Sequence, residues 1–296
     1  MKKMVLIAVL VFSFCIGSES KCNSQSERLL FAISSNNCKV AKEIVNKNPK
    51  IVFETNEYGA DNMEVLFTYY YVLANYDLWQ DYDFNCFLDT FLQAKPNLNF
   101  YTQELNLTPL GIVAGLPTSN KIEIFDKLLK AGADIKQMPL KDSDMEILYF
   151  AIYNKDLNLM EYLLKNGAPI KKDFFGRIIF EWLSSYKTKN QTNDEIEKIR
   201  KSKDFIQDRK WALQSVDIFL KYADIKDFSD KDRLGSINPL TYFNDIEFVK
   251  KLVNLGIFDD KKELLEKAIN YAKENRRFEI AEILENLKAK KAFKVL

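Results

Sequence analysis

The 296-residue chain contains no histidine, which argues against several classes of enzyme at once. Histidine is the commonest general base, the usual partner of a catalytic serine or cysteine, and a frequent metal ligand. The nine glycines form neither a phosphate-binding loop nor a nucleophile elbow. The four cysteines contain no Cys-x-x-Cys spacing, so a zinc site is not expected. The sequence therefore predicts no catalytic residue, no cofactor and no metal, and the chain is not expected to be an enzyme.

The chain also lacks an excess of either charge. Its 43 lysine and arginine residues are balanced by 42 aspartate and glutamate residues, for a formal net charge of +1. There is no long block of one sign, so neither a nucleic acid nor an anionic membrane is expected as a partner. Hydrophobic residues make up 47% of the chain, and 22 residues are phenylalanine. The chain therefore has ample apolar surface for a continuous core.

Long apolar runs are missing except at the N-terminus. Lys2 and Lys3 precede an apolar run over residues 4–16, and small residues follow it. This pattern predicts a secretory signal peptide over residues 1–20, and therefore a protein exported to the periplasm or secreted. Residues 21–296, the mature chain, are expected to contain no membrane span. Cys15 leaves open a lipid-anchored form, and an uncleaved anchor is a further alternative.

Residues 108–135 have the pattern of two consecutive helices. Thr108 and Pro109 suit the start of the first helix, because proline loses no hydrogen bond at the first helical position. The second helix is predicted over residues 122–130, and Gly132 suits its end because glycine reaches the left-handed conformation at no steric cost. A single pair of this kind cannot bury its apolar face, so it needs copies of itself on both sides.

Such copies are indicated by large apolar residues that recur four positions apart. The whole pattern resembles the ankyrin repeat family, whose signature joins a Thr-Pro-Leu helix start to a second amphipathic helix. The resemblance implies an all-α fold, an ankyrin-type helix-turn-helix repeat solenoid of about 6–7 degenerate repeats over residues 21–296. The recurring pairs are Val40/Ile44, Phe87/Phe91, Ile124/Leu128, Leu159/Leu163, Phe248/Leu252 and Ile280/Leu284, with a weaker pair at Ser215/Phe219.

Departures from a regular repeat are predicted in the second half of the chain. Thr192 and Glu195 form a capping-box pattern, which predicts an extra or lengthened helix near residues 192–214. Pro239 and its neighbours resemble the helix start of another repeat, with a first helix about one turn short. Residues 262–288 are expected to form a C-terminal cap, because they are rich in lysine, glutamate and asparagine.

The cysteines of the mature chain are Cys22, Cys38 and Cys86. Cys22 and Cys38 flank the first predicted helix, and an oxidising compartment would allow them to form a disulfide. Such a loop would stabilise the fold by ~3 kcal/mol on the chain-entropy account. The alternative is that these cysteines remain free thiols.

The ankyrin resemblance also implies a function. Members of this family bind proteins on the concave face made by the inner helices and by the turn tips between repeats. The expected function is therefore a non-catalytic protein–protein interaction module that acts outside the cytoplasm, as a monomer, on an unidentified protein. The turn-tip positions give the candidate partner-binding residues Phe53, Tyr58, Phe100, Tyr101, Met138, Phe174, Phe175, Arg177 and Phe228.

Alternatives remain open at this level. Each turn-tip ring could instead stack on a neighbour in the adjacent repeat and serve only the fold. The aromatic insertion over residues 76–84 could pack back on the helices or form an exposed lip that binds a partner. Two narrower functions also fit the sequence: a periplasmic protector or inhibitor of a single enzyme or toxin, and a secreted effector that binds proteins of another cell.

Overall fold

A computed structural model describes residues 22, 24–55, 59–76, 78, 80–187, 191–259 and 261–293 of the chain. Within these residues it contains fifteen α-helices and no β-strand, which confirms the predicted all-α class. The predicted signal peptide lies outside the described residues. The helices are α1 (Gln25–Ser34), α2 (Cys38–Lys47), α3 (Asn62–Asn75), α4 (Phe84–Leu92), α5 (Pro109–Gly115), α6 (Lys121–Lys130), α7 (Leu148–Tyr153), α8 (Leu157–Lys165), α9 (Phe174–Leu183), α10 (Asn193–Arg200), α11 (Lys203–Phe219), α12 (Asp230–Tyr242), α13 (Ile246–Asn254), α14 (Lys262–Glu274) and α15 (Phe278–Phe293).

The chain divides into two compact units, Met1–Phe150 and Ala151–Leu296. Helices α1–α6 belong to the first unit and α8–α15 to the second, while α7 crosses the division. No helix within the described residues combines the length and the apolar character that crossing a membrane requires.

Apart from α10, consecutive helices form pairs, and we call the first helix of each pair inner and the second outer. In the first unit the inner helices α1, α3 and α5 contact one another in sequence, and the outer helix α2 contacts the outer helix α4. In the second unit the inner helices α9, α12 and α14 are in contact in the same way. The outer helices of that unit also pair, α8 with α11 and α13 with α15. Within each unit, inner helices therefore pack on inner helices, and outer helices pack on outer helices.

The recurring apolar pairs lie on the buried faces of the outer helices. Both members of six of the seven pairs are fully buried, including the weaker pair Ser215/Phe219. The exception is the pair at the N-terminal end, where Ile44 is buried but Val40 is only half-buried. The four-residue spacing thus identified the core correctly, because positions four apart fall on one face of a helix.

The ends of three outer helices have one common turn. Gly132, Gly167 and Gly256 all have positive φ values, of 101°, 81° and 85°. In each case the residue after the glycine donates its backbone N–H to a carbonyl five residues earlier, at 3.0–3.2 Å. This is the glycine-dependent helix stop that the sequence predicted for Gly132.

A second recurring turn joins inner to outer helices. Asn36, Lys155, Asn244 and Arg276 occupy the middle of three-residue connections and have φ values of 53–57°. In all four, the next residue donates its backbone N–H to a carbonyl five residues earlier, at 2.8–2.9 Å. Among the residues that the structure describes, the same closed turn therefore occurs once in the first unit and three times in the second.

Arg276→Gly is expected to stabilise the second unit by about 0.5 kcal/mol. A non-glycine residue in the left-handed region costs roughly 1–2 kcal/mol, which the substitution by glycine removes. The added flexibility of glycine in the unfolded chain offsets part of this stabilisation. Urea unfolding measures the difference. Arg276→Ala, which keeps the backbone strain, is the control and should give no gain; equal stability of the two variants would contradict the expectation.

The start of α5 shows why glycine occupies position 111. Thr108 caps the helix by accepting the backbone N–H of Gly111 at 3.1 Å, and Pro109 is the first helical residue, as the sequence predicted. The backbone N–H of Thr108 donates to the carbonyl of Pro139 at 2.8 Å. A Cβ atom at Gly111 would lie 2.7 Å from that same carbonyl oxygen. The close approach of the two chain segments therefore excludes a residue larger than glycine at position 111.

Residues 192–214, where an extra or lengthened helix was predicted, contain helix α10 and the first part of helix α11. Thr192 and Glu195 form the predicted capping box at the start of α10, and the 17-residue outer helix α11 follows. Helices α14 and α15 occupy the predicted C-terminal region. The expectation of a shortened inner helix starting near Pro239 is wrong. Ser229 caps α12 far upstream, and Pro239 lies inside this 13-residue helix.

The predicted disulfide between Cys22 and Cys38 is also wrong, because Cys38 is bonded to Cys86, with an S–S distance of 1.99 Å. Cys22 is disulfide-bonded as well. The bond between Cys38 and Cys86 joins the outer helix α2 to the outer helix α4. The two helices pack side by side, so this disulfide links adjacent outer helices. The predicted disulfide would instead have linked the two ends of one helix.

Candidate protein-binding surface

Three of the candidate aromatic residues belong to the core of the second unit. Phe174, Phe175 and Phe228 are 2%, 0% and 4% exposed. Phe175 stacks on Phe228 with ring centroids 5.4 Å apart, and Phe174 meets Phe219 edge-on at 6.3 Å. The prediction that these three rings face a partner is wrong, because α9 begins at Phe174 and turns its first residues inward against α11 and α12.

The other candidates differ in exposure. Phe53 is 43% exposed at the end of a short 3₁₀ helix, Pro49–Phe53. Arg177 is exposed on α9, where its guanidinium pairs with Asp173 at 3.1 Å. Tyr58 lies outside the described residues. Phe100, Tyr101 and Met138 are half-buried in the connections of the first unit.

The sequence did not single out the two most exposed aromatic residues of the inner helices. Phe180 on α9 is 63% exposed, and Tyr153 at the end of α7 is 60% exposed. The signal for Phe180 was present in the sequence. Residues 178–183 contain five apolar side chains among six, and one helical face can bury only part of such a run. Ile178, Ile179, Trp182 and Leu183 are the buried members.

Two charged residues of α9, Arg177 and Glu181, lie near Phe180 in the sequence. Burial raises the pKa of the neighbouring Glu181, while the positive charges of Lys155 and Arg177 oppose that rise. Lys155 pairs in turn with Asp208 of α11 at 2.7 Å, which ties the turn after α7 to α11. Phe180 is thus an exposed aromatic ring with Arg177 one turn before it and Glu181 next to it in the sequence, and we call Arg177, Phe180 and Glu181 the inner-helix patch.

In the aromatic insertion of the first unit, Tyr82 and Phe84 pack against neighbouring helices, whereas Tyr76 is 56% exposed. Phe84 stacks on Tyr70 with centroids 3.8 Å apart, and Tyr82 stacks on Phe87 at 5.3 Å. Burial holds the pKa of the Tyr82 hydroxyl well above its ordinary value. The packing interpretation is therefore confirmed for Tyr82 and Phe84. Trp79 lies outside the described residues.

The second unit also contains a recess of about 340 Å³, bounded by α10, α11, α13 and α15. On one wall, Arg209 makes a two-point contact with the buried carboxylate of Asp245, with N–O distances of 2.5 and 2.8 Å. This contact raises the pKa of Arg209. Arg200, also on the wall, pairs with Glu197 at 2.7 Å. The two arginines of the recess are thus held by carboxylates of the chain itself, and we assign this contact to stability.

Among the described residues, no group of three or more cysteine, aspartate or glutamate side chains is arranged to hold a metal ion. Comparisons of the chain with protein-family models, with curated proteins and with solved structures find no match.

Proposed function

We propose that this chain is a non-catalytic protein-binding module, built from ankyrin-type helix pairs and exported from the cytoplasm. Its inner helices and connecting loops would hold the partner. The ankyrin assignment is supported by the seven pairs of inner and outer helices, by the contacts between like helices, and by the two recurring turns.

The observation that carries the binding proposal is the exposure of Phe180 on an inner helix. Burying a phenylalanine side chain contributes about 2–3 kcal/mol, so a ring left 63% exposed forgoes part of that gain. Arg177 lies one turn before it on the same helix. Aromatic residues and arginine are enriched at the centres of protein interfaces, where a few of them supply most of the binding energy.

Export is supported by the bond between Cys38 and Cys86. Disulfides persist in oxidising compartments and are rare in the cytosol. This is independent of the signal-peptide pattern, which lies in another part of the chain. Both features support the proposal that the protein acts in the periplasm or outside the cell.

The binding proposal predicts that Phe180→Ala weakens partner binding at least tenfold. Truncating an interface hot spot costs about 2 kcal/mol or more. Affinity capture with the tagged mature chain, followed by mass spectrometry and titration of the captured protein, measures the effect. Phe180 is mostly exposed, so the variant is expected to fold, and circular dichroism verifies this.

Phe278→Ala is the matched control. Phe278 is a phenylalanine of similar exposure, 68%, but it lies at the start of the outer helix α15. Its loss should leave partner binding unchanged. Equal binding by both variants would contradict the inner-helix location, and no partner from any fraction would contradict the proposed function. A single captured enzyme or toxin of the same compartment would identify a protector or inhibitor, whereas proteins of another cell would identify an effector.

A further inference from the structure

Asp232 lies at a close contact between the inner helices α9 and α12. Its Oδ1 atom accepts the backbone N–H of Gly176 at 2.7 Å. A Cβ atom at Gly176 would collide with this carboxyl group, so only glycine permits the contact. Asp232 is 6% exposed, and α9 and α12 are in extensive contact. A carboxyl group is therefore enclosed between two helices of the second unit.

The second carboxyl oxygen of Asp232 has no hydrogen-bond partner. Oδ2 is buried, and no donor among the described residues reaches it. The adjacent Arg233 is fully buried but donates to the carbonyl oxygens of Phe228, Lys226 and Ile257. A buried carboxylate that lacks an ion-pair partner is costly, and its neutral form costs much less.

The charged side chains around Asp232 do not supply that partner. From α9, Asp173 disfavours the ionised form and Arg177 favours it, and these two are paired with each other. From the start of α12 and of α14, Asp230 and Lys261 form an ion pair of their own at 3.2 Å. Burial, the largest cause, raises the pKa of Asp232 to about 7, although the bond from Gly176 opposes the rise.

We infer that Asp232 is a proton-operated latch between α9 and α12, which holds the two helices together when protonated and loosens their contact when it ionises. The protonated group keeps the bond from Gly176 and removes the buried charge. The ionised group gains water only if the helices separate. The latch does not depend on the proposed function. Because Phe180 lies on α9, however, a binding partner would encounter a looser inner-helix patch at higher pH.

The sign of the pH dependence follows from the raised pKa. The opened segment ionises with an ordinary aspartate pKa of 3.8, so the closed state becomes less favourable as the pH rises from about 4 to about 7, and the effect levels off above that range. Between pH 6 and pH 8 the opening equilibrium is expected to increase about tenfold. Below pH 4 both states are protonated and the effect disappears.

Hydrogen exchange of the α9 and α12 amides, corrected for the intrinsic effect of pH, tests the latch in the full mature chain. The wild type should lose about tenfold protection at Gly176 and its neighbours from pH 6 to pH 8. Asp232→Asn, a neutral side chain of the same shape, should remove this dependence. Asp173→Asn is the control for a nearby exposed carboxylate and should retain it. Unchanged protection in the wild type, or the same dependence in Asp232→Asn, would overturn the proposal.

Direct titration keeps the proposal testable if Asp232→Asn folds poorly. The ¹³C chemical shifts of the aspartate carboxyl groups in the wild-type protein should include one that titrates near pH 7, close to Gly176 in space. If every aspartate carboxyl titrates below pH 5, Asp232 is ionised in the closed state and the latch does not exist.

Discussion

Replacing Cys38 and Cys86 by serine is expected to lower the free energy of unfolding of the first unit by about 4 kcal/mol. The bond closes a loop with a sequence separation of 48 residues, and on the chain-entropy account a crosslink of that span removes this much freedom from the unfolded chain. Because domains are only marginally stable, a loss of this size is a large part of the total. Hydrogen exchange of α2 and α4 peptides, followed by mass spectrometry, measures it.

The double variant is preferable to chemical reduction, because Cys22 is also disulfide-bonded and a reductant would act on that bond too. Peptides of α13 and α14, which lie in the second unit, are the internal reference and should exchange as in the wild type. A loss of less than about 1 kcal/mol in α2 and α4 would show that the crosslink adds little to helix packing in the first unit.

Arg209→Met is expected to destabilise the second unit by about 3–5 kcal/mol. The substitution keeps much of the aliphatic stem but leaves the carboxylate of Asp245, which is 2% exposed, without its cation. Removing one partner of a buried ion pair costs this much because the remaining charge is enclosed and uncompensated. Equilibrium unfolding in urea, measured in a Trp79→Phe background so that the tryptophan fluorescence comes only from Trp182 and Trp211, reports on this unit.

Two further variants separate this effect from a general loss of arginine. Arg200→Met removes an arginine of the same recess whose partner, Glu197, is partly exposed, and it should cost less than about 1 kcal/mol. Arg209→Met with Asp245→Asn removes both charges and retains an oxygen that can cap α13. This double variant should be more stable than Arg209→Met alone. If it is less stable, the buried charge does not cause the loss.

The sequence was sufficient to locate most of the core. A pair such as Phe87/Phe91 has the four-residue spacing of one helical face, and both rings are buried. The glycine turn at Gly132 and the capping box at Thr192 were also predictable, because each depends on a side chain with a strong local preference. The turns at Lys155 and Arg276 were not, since neither residue type indicates a left-handed backbone.

The errors came from interactions that are distant in the sequence. Phe174 and Phe175 were assigned to a turn between repeats, but the chain turns at residues 171–173 and α9 begins at Phe174. Burial against Phe219 and Phe228 then decides where the rings point, and no local pattern reveals it. Pro239 was interpreted as a helix start because proline favours that position. An internal proline costs about 3 kcal/mol, which the packing of α12 on α9 and α14 must offset.

The exposed aromatic residues could not be predicted from the sequence for the same reason. Phe180 belongs to the same apolar run as Ile178 and Ile179, but it lies on the exposed face of α9 and they lie on the buried face. Its exposure depends on which face α12 covers, and that contact is fixed by Gly176 and Asp232 in distant parts of the chain. A binding surface of this kind is therefore visible only once the helices have been packed.

The four turns between inner and outer helices have a consequence for the order of folding. Each turn closes by a hydrogen bond between residues five positions apart, such as that from Asn37 to Ala32. Such a turn needs nothing from residues that have not yet been synthesised, so the helix pairs can close one after another from the N-terminus. Contacts of this kind keep the mean sequence separation low, which favours rapid folding. Growth of the fold along the chain, with adjacent pairs added in sequence, is the assembly order we expect.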